Sequence, residues 1–315
     1  MRILFVKTSS LGDVIHNCPA VSDVRQQFPA AEIDWVVEES FAEICALHPA
    51  VRRVIPVAVR RWRSRLFSPS VWQEIRRFRD DLRTETYDVV LDSQGLIKSA
   101  LISAATRGTT HGFDAASARE PLASRFYDVR HGVPREMHAV ERNRRLTAAA
   151  LETTPHATCV YGLKPRDGNP ISLASPYCVL FSMTSRSDKL WPEEHWVELV
   201  RALESDGLEC VLPWGNSEEL ARCRRIVALA GYGNIPRALT LDELASVIAG
   251  ARGAVGVDTG LAHLTVALDV PVVGLYLGSD PSLTGLHGGR GVANLGRPGV
   301  APTPEEALAS LRALV

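Results

Sequence analysis

Short apolar runs, each ending in a turn that opens a helix, recur from residue 2 to residue 314, and this alternation constrains the fold more than any other feature of the chain. The first run is Arg2-Ile3-Leu4-Phe5-Val6-Lys7, followed by the turn Thr8-Ser9-Ser10-Leu11-Gly12-Asp13 and a predicted helix over 14–28. Strands are predicted at 32–37, 54–57 and 87–92, with a helix restarting at Gln94. Strands separated by helices cannot form hairpins; they pair in parallel through crossovers, which gives doubly wound α/β sheets. The pattern loosens over 153–175, where Pro155, Pro165, Gly168 and Pro170 mark a linker. It resumes with strands at 177–181, 209–212, 254–257 and 272–276, and helices at 193–205, 218–230, 241–249, 261–268 and 304–314. The expectation is two Rossmann-like domains facing across a cleft, 1–165 and 166–315, with the last helix a candidate to pack back on the first.

Composition narrows the classes. The 315 residues carry a net charge of −1, so a protein that coats nucleic acid over its whole surface is excluded. No run approaches the roughly 20 apolar residues that span a bilayer. The N-terminal run leads straight into Lys7 and a polar turn, which reads as a first strand and not as a signal peptide. The six cysteines form no C-x-x-C pair and most sit among apolar neighbours, as reduced core thiols of a cytoplasmic protein do.

Ligands of open parallel sheets bind beyond the carboxyl ends of strands, so residues just after strands carry the information. The 7–13 turn matches neither G-x-G-x-x-G nor a P-loop, which removes support from dehydrogenase and P-loop readings. Asp13 there is either a dipole partner of the following helix or a carboxylate able to take a proton from a hydroxyl. After the strand at 177–181 comes Thr184-Ser185-Arg186-Ser187-Asp188-Lys189, a hydroxyl-and-lysine turn suited to a diphosphate. After 254–257 comes Asp258-Thr259-Gly260-Leu261-Ala262-His263. Aspartic proteases need two such Asp-Thr-Gly turns in an all-β protein; one turn at a helix start instead offers N–H groups to a phosphate. The chain has no Asp-x-Asp pair to hold a Mg²⁺-diphosphate, so lysine, hydroxyls and helix N-termini must supply the counter-charge. Between Arg52 and Arg83, ten arginines face three carboxylates, a local excess of seven. Those at 76, 77, 79 and 83 fall on a solvated helix face. Arg60-Arg61-Trp62-Arg63 is predicted as a loop after a strand, suited to an acidic small molecule or an anionic membrane surface.

These motifs together resemble the ADP-heptose:lipopolysaccharide heptosyltransferases. The resemblance runs in register through Val6-Lys7-Thr8-Ser9-Ser10-Leu11-Gly12-Asp13, Arg60-Arg61-Trp62-Arg63, Asp92-Ser93-Gln94-Gly95, Ala118-Arg119-Glu120-Pro121, Asp188-Lys189-Leu190-Trp191-Pro192, Leu212-Pro213-Trp214-Gly215 and Asp258-Thr259-Gly260-Leu261-Ala262-His263. It implies a GT-B fold and an inverting transfer of L-glycero-D-manno-heptose from its ADP donor to Kdo of the lipopolysaccharide inner core, most closely the addition of the first heptose. By the same resemblance no cofactor or metal takes part. Asp13 is the general base, and Lys189 acts with it in catalysis. Thr184, Ser185, Lys189, Glu218, Asp258, Thr259, Gly260 and His263 bind the donor; Ser10, Gly12, Arg60, Arg61, Arg63 and Arg119 bind Kdo-lipid A. The loop before Glu218 is one residue short of the family pattern, which leaves Glu218 and Glu219 as alternatives for the ribose contact. The implied location is cytoplasmic, peripheral at the inner face of the inner membrane, with no nucleic acid partner. Rival expectations are the transferase adding the second heptose, a sugar-nucleotide epimerase and a nucleotide-sugar sensor.

Overall fold

The structure, a computed structural model, describes residues 1–65, 67–173, 175–184 and 186–315. It divides into two compact units, Met1–Gly162 and Leu163–Val315. In the first, β1 (Arg2–Val6), β2 (Glu32–Glu38), β3 (Val51–Val57), β4 (Tyr87–Asp92), β5 (Gly108–Phe113) and β6 (Val129–His131) form one sheet in the order β3-β2-β1-β4-β5-β6, with every pairing parallel. The helices are α1 (Leu11–Ile15), α2 (Cys18–Gln27), α3 (Ala42–Ala46), α4 (Val59–Arg63), α5 (Pro69–Leu82), α6 (Ile97–Ala104) and α7 (Ala139–Ala150). The strand order reverses between β1 and β4, whose last residues, Val6 and Asp92, are paired. That reversal opens the crevice in which doubly wound sheets bind ligands.

The single helix expected over 14–28 is two. Pro19 has no N–H to continue a helix and its ring clashes with the carbonyl four residues back, so α1 stops and α2 begins with Pro19 in its first turn. At the break the His16 carbonyl accepts from Asn143 Nδ2 of α7 at 3.0 Å. The Arg60–Arg63 segment is not a loop but the helix α4. Its first turn is held by the buried Glu38, whose Oε1 accepts from the Arg60 N–H at 2.9 Å.

The second unit holds β7 (Tyr177–Phe181), α8 (Glu193–Ser205), β8 (Glu209–Val211), α9 (Ser217–Ala230), α10 (Leu241–Ala249), β9 (Gly253–Val257), α11 (Gly260–Ala267), β10 (Val272–Tyr276), α12 (Pro281–Thr284), β11 (Val292–Gly296) and α13 (Pro304–Leu314). Its parallel sheet runs β11-β10-β9-β7-β8, so the order reverses between β7 and β9. Core packing centres on Trp191 and Trp196, edge to face at 5.0 Å, with the Trp191 Nε1–H donating to the Pro302 carbonyl at 2.8 Å. Helix α13, the candidate to pack back on the first unit, buries Ala307 and Leu311 in the core of its own unit, against α8 and strands β9 to β11.

Candidate active site

Each switch point carries one group of candidate residues. In the first unit, Ser10 precedes α1, and its backbone N–H donates to Asp13 Oδ2 at 3.0 Å; its hydroxyl lies 3.3 Å from the same oxygen. Arg119 Nη1 stands 3.6 Å from Asp13 Oδ2. Gly12 sits in the same first turn, its carbonyl accepting from the His16 N–H. Burial is the largest influence on the Asp13 carboxyl and pushes its pKa up. The Lys7 and Arg119 charges and the Ser10 hydrogen bonds together outweigh it and hold the group below the usual carboxylate range. Asp13 is therefore ionised at neutral pH and able to accept a proton.

The turn after β4 organises this group. Asp92 Oδ1 accepts from the N–H groups of Gln94 and Gly95 at 2.8 and 3.1 Å, and Oδ2 accepts from the Tyr127 hydroxyl at 2.7 Å. Gln94 Oε1 then accepts from the Thr8 and Ser9 N–H groups at 3.0 and 3.2 Å, which fixes the backbone leading to Asp13. Gly95 has φ +67°, and a side chain there would meet the Arg119 backbone N at 3.3 Å. Glycine thus lets the segment carrying Arg119 approach the switch point.

Sequence reasoning missed several cations around this group. Lys7 is buried, its Nζ donating to the Ser93 carbonyl at 2.7 Å, and burial lowers its pKa to about 8. Lys98 Nζ donates to Ser9 Oγ at 2.9 Å; burial, and then repulsion by Arg60 and Arg63 against the attraction of Glu38, lowers its pKa. Arg142 stacks on Phe113 at 4.7 Å, and burial followed by Arg135 and Arg119 lowers its pKa. Lys7 lies inside the motif at 6–13 and Lys98 three residues beyond the one at 92–95, but nothing in the spacing told them from core or surface lysines. Of the arginines in α4, Arg61 is tied to Glu39 at 3.1 Å and to Glu74 at 2.8 Å. Arg60 lies over the Phe41 ring at 5.4 Å, and Arg63 is exposed.

In the second unit, Lys189 Nζ pairs with Asp258 Oδ2 at 2.5 Å, and the Thr184 hydroxyl donates to the Asp258 carbonyl at 3.1 Å. His263 Nε2 is 4.0 Å from Asp258 Oδ1. Thr259, extended at φ −144°, caps α11, and Gly260 is its first residue. The Ser279 hydroxyl also donates to Asp258 Oδ2, a contact the sequence did not signal. Ser185 lies outside the described residues. A cavity of about 600 Å³ adjoins this cluster, lined by Thr184, Trp214, Asn216, Glu218, Glu219 and Thr259, among others. That volume is within the roughly 300–1,000 Å³ of small-molecule sites. The Glu219 carboxylate accepts from the Gly215 N–H at 2.7 Å, whereas Glu218 is exposed on the cavity wall. Asn216 caps α9 and fixes both by accepting from their N–H groups at 3.0 Å. Charge, hydroxyls and a helix N-terminus thus meet beside a nucleotide-sized space, the arrangement that binds phosphate.

The family model described as glycosyltransferase family 9 (heptosyltransferase) matches residues 75–305. Lipopolysaccharide heptosyltransferase 1 of Escherichia coli (strain K12) is 46% identical over 291 residues, 91% of each chain. The enzyme of that name from Pseudomonas aeruginosa is 47% identical over 91% of this chain and 82% of its own. The structure of E. coli heptosyltransferase WaaC with ADP-2-deoxy-2-fluoro heptose superposes with a TM-score of 0.89 and 40% identity, over 100% of both chains. The expected fold class, two Rossmann-like domains of GT-B type, is the one this similarity supports. The chain belongs to glycosyltransferase family 9, the heptosyltransferases.

Proposed function

We propose that this enzyme moves an L-glycero-D-manno-heptosyl group from ADP-heptose to Kdo of lipid-linked inner core, adding the first heptose. The observation that carries the reading is an ionised carboxylate, Asp13, at one switch point, with a Lys189-Asp258-Thr184 cluster beside a nucleotide-sized cavity at the other. In this reading ADP occupies the cavity, with Glu218 at the ribose and the diphosphate near Lys189, Thr184, Ser185 and the Thr259-Gly260 start of α11; Asp258 and His263 complete the donor site. The acceptor hydroxyl gives its proton to Asp13 as its oxygen attacks the anomeric carbon. The carbon–phosphate-oxygen bond breaks on the opposite face, so configuration inverts and ADP leaves with the electron pair. Lys189 and the helix N-terminus balance the charge that develops on ADP, so no divalent ion is required. Ser10, Gly12, Arg60, Arg61, Arg63 and Arg119 hold the acidic acceptor, for which guanidinium forks are suited.

Among the described residues no helix is long and apolar enough to cross a membrane. The proposed location is cytoplasmic, at the inner face of the inner membrane, where a lipid-linked acceptor and the arginine-rich segment would meet. The test is incubation with ADP-heptose and Kdo-lipid A, following ADP release and the mass of the lipid. A heptosylated product supports the reading; ADP release without one, or a donor converted to an isomer, overturns it.

A further inference from the structure

Helix α5 buries Val71 and Leu82 in the first unit and turns a different face outward. Trp72, Arg76, Arg79 and Arg83 recur at spacings of four, three and four residues, which aligns them along one side of a helix about 21 Å long. Trp72 is 53% exposed, the three arginines are exposed, and Phe67, two residues before the helix, is fully exposed. Arg65, beside that turn, is exposed as well. Of the carboxylates of α5, Glu74 is held by Arg61 and the Trp62 indole and Asp81 lies 3.3 Å from Arg53, while Asp80, exposed, lies 3.7 Å from Arg79 and offsets part of that line's charge. Two exposed aromatic side chains beside a line of cations match a lipid interface, where rings settle at headgroup level and guanidinium groups meet lipid phosphates. Nucleic acid would find the same charge, but a fully exposed phenylalanine gains most from an apolar phase.

We propose that Phe67 and Trp72 insert into an anionic lipid surface while Arg65, Arg76, Arg79 and Arg83 bind its headgroups, making the start of α5 a membrane-docking element. The proposal rests on the reading that the acceptor is lipid-linked, and it assigns the docking to residues outside the acceptor set.

The experiment is sedimentation of the full chain with vesicles of phosphatidylglycerol and phosphatidylethanolamine, or of phosphatidylcholine alone. The wild type is expected to bind only the anionic vesicles, less tightly at high salt. Phe67→Ser with Trp72→Ser is expected to lower the partition constant by about tenfold or more, from lost apolar burial. Arg76→Gln with Arg79→Gln is expected to lower it by about fivefold per charge. ADP binding and turnover of a water-soluble, deacylated acceptor should stay at wild-type levels in all variants, which separates docking from folding and from chemistry. Undiminished vesicle binding by the serine variant overturns the proposal. So does an oligonucleotide bound as tightly as the vesicles, or a concentration-dependent oligomer that the serine substitutions abolish. Wild-type turnover of the soluble acceptor without vesicle binding sinks the docking element and leaves the transfer reading standing. Absence of turnover with either acceptor sinks the transfer reading on its own.

Discussion

Replacing Asp13 by Asn tests the chemistry most directly. The amide keeps the shape of the carboxylate, and its oxygen can still accept from the Ser10 N–H, so the turn into α1 should hold. What is lost is the negative charge and the capacity to take a proton. A positioned general base contributes roughly 10²–10⁴-fold, or about 2.7–5.4 kcal/mol of barrier. Asp13→Asn should therefore lower kcat by at least about 10²-fold. Donor affinity should stay near wild type, because the proposed ADP site draws on residues of the second unit alone. The pH profile adds a second readout. The surrounding positive charge holds the Asp13 pKa below the usual carboxylate range, so the wild-type rate should be flat from neutral pH downward and fall only in the acid region where Asp13 gains a proton. Arg119→Gln removes one of those charges and should move that acid limb toward higher pH. The assay is coupled ADP release across a pH series, with ADP titration to report the donor site. Activity of Asp13→Asn within a few-fold of wild type would refute the assignment of the base.

Lys189→Ala should depress kcat strongly while EDTA leaves the wild-type rate unchanged; an EDTA-inactivated enzyme rescued by Mg²⁺ would overturn metal-free departure of ADP. Because Arg61 is already paired with Glu39 and Glu74, Arg63→Ala should raise the acceptor KM more than Arg61→Ala does, with the KM for ADP-heptose unmoved in both; steady-state kinetics in each substrate decides it. His48 is buried with Nδ1 accepting from the Ala50 N–H and Nε2 beside Ser22 Oγ, and burial lowers its pKa from 6.5 to about 4. A depressed histidine pKa gives stability that is present above the unfolded value and lost as pH falls from 6.5 toward 4, about 2 kcal/mol by pH 5. Thermal melts at pH 7 and pH 5 should show this loss, and His48→Gln should flatten it.

The fold was legible because its period is coarse. Elements such as 193–205, 272–276 and 304–314 coincide with their sequence expectations, since the strand is an apolar run buried on both faces and the two helices bury apolar residues at helical spacing. What escaped was the periphery and the local geometry. Strand β5 begins Gly108-Thr109-Thr110 and the edge strand β6 is only Val129-Arg130-His131, sequences too polar or too short to read as strands, yet β5 pairs with β4 and so fixes where Arg119 emerges. Pro19 was visible, but the partner that the His16 carbonyl takes at the break, Asn143, lies 127 residues away in the chain. The candidate site divides in the same way. Asp13, Lys189 and Asp258 could be found because strand ends are where parallel sheets bind ligands. Arg119 was named as an acceptor contact, but its hold on the charge of Asp13, and that of Lys7, could not be read, because they act across 106 and 6 residues of chain and only the fold fixes their influence. Arg61 is the converse case. By composition it equals Arg60 and Arg63, but Glu39 and Glu74 hold its guanidinium, so an arginine-rich motif of uniform sequence has non-uniform freedom to meet an anion. A ligand carboxylate must displace Glu39 and Glu74 to reach Arg61, whereas no carboxylate among the described residues pairs with the exposed Arg63, and the ratio of the two KM effects measures that difference.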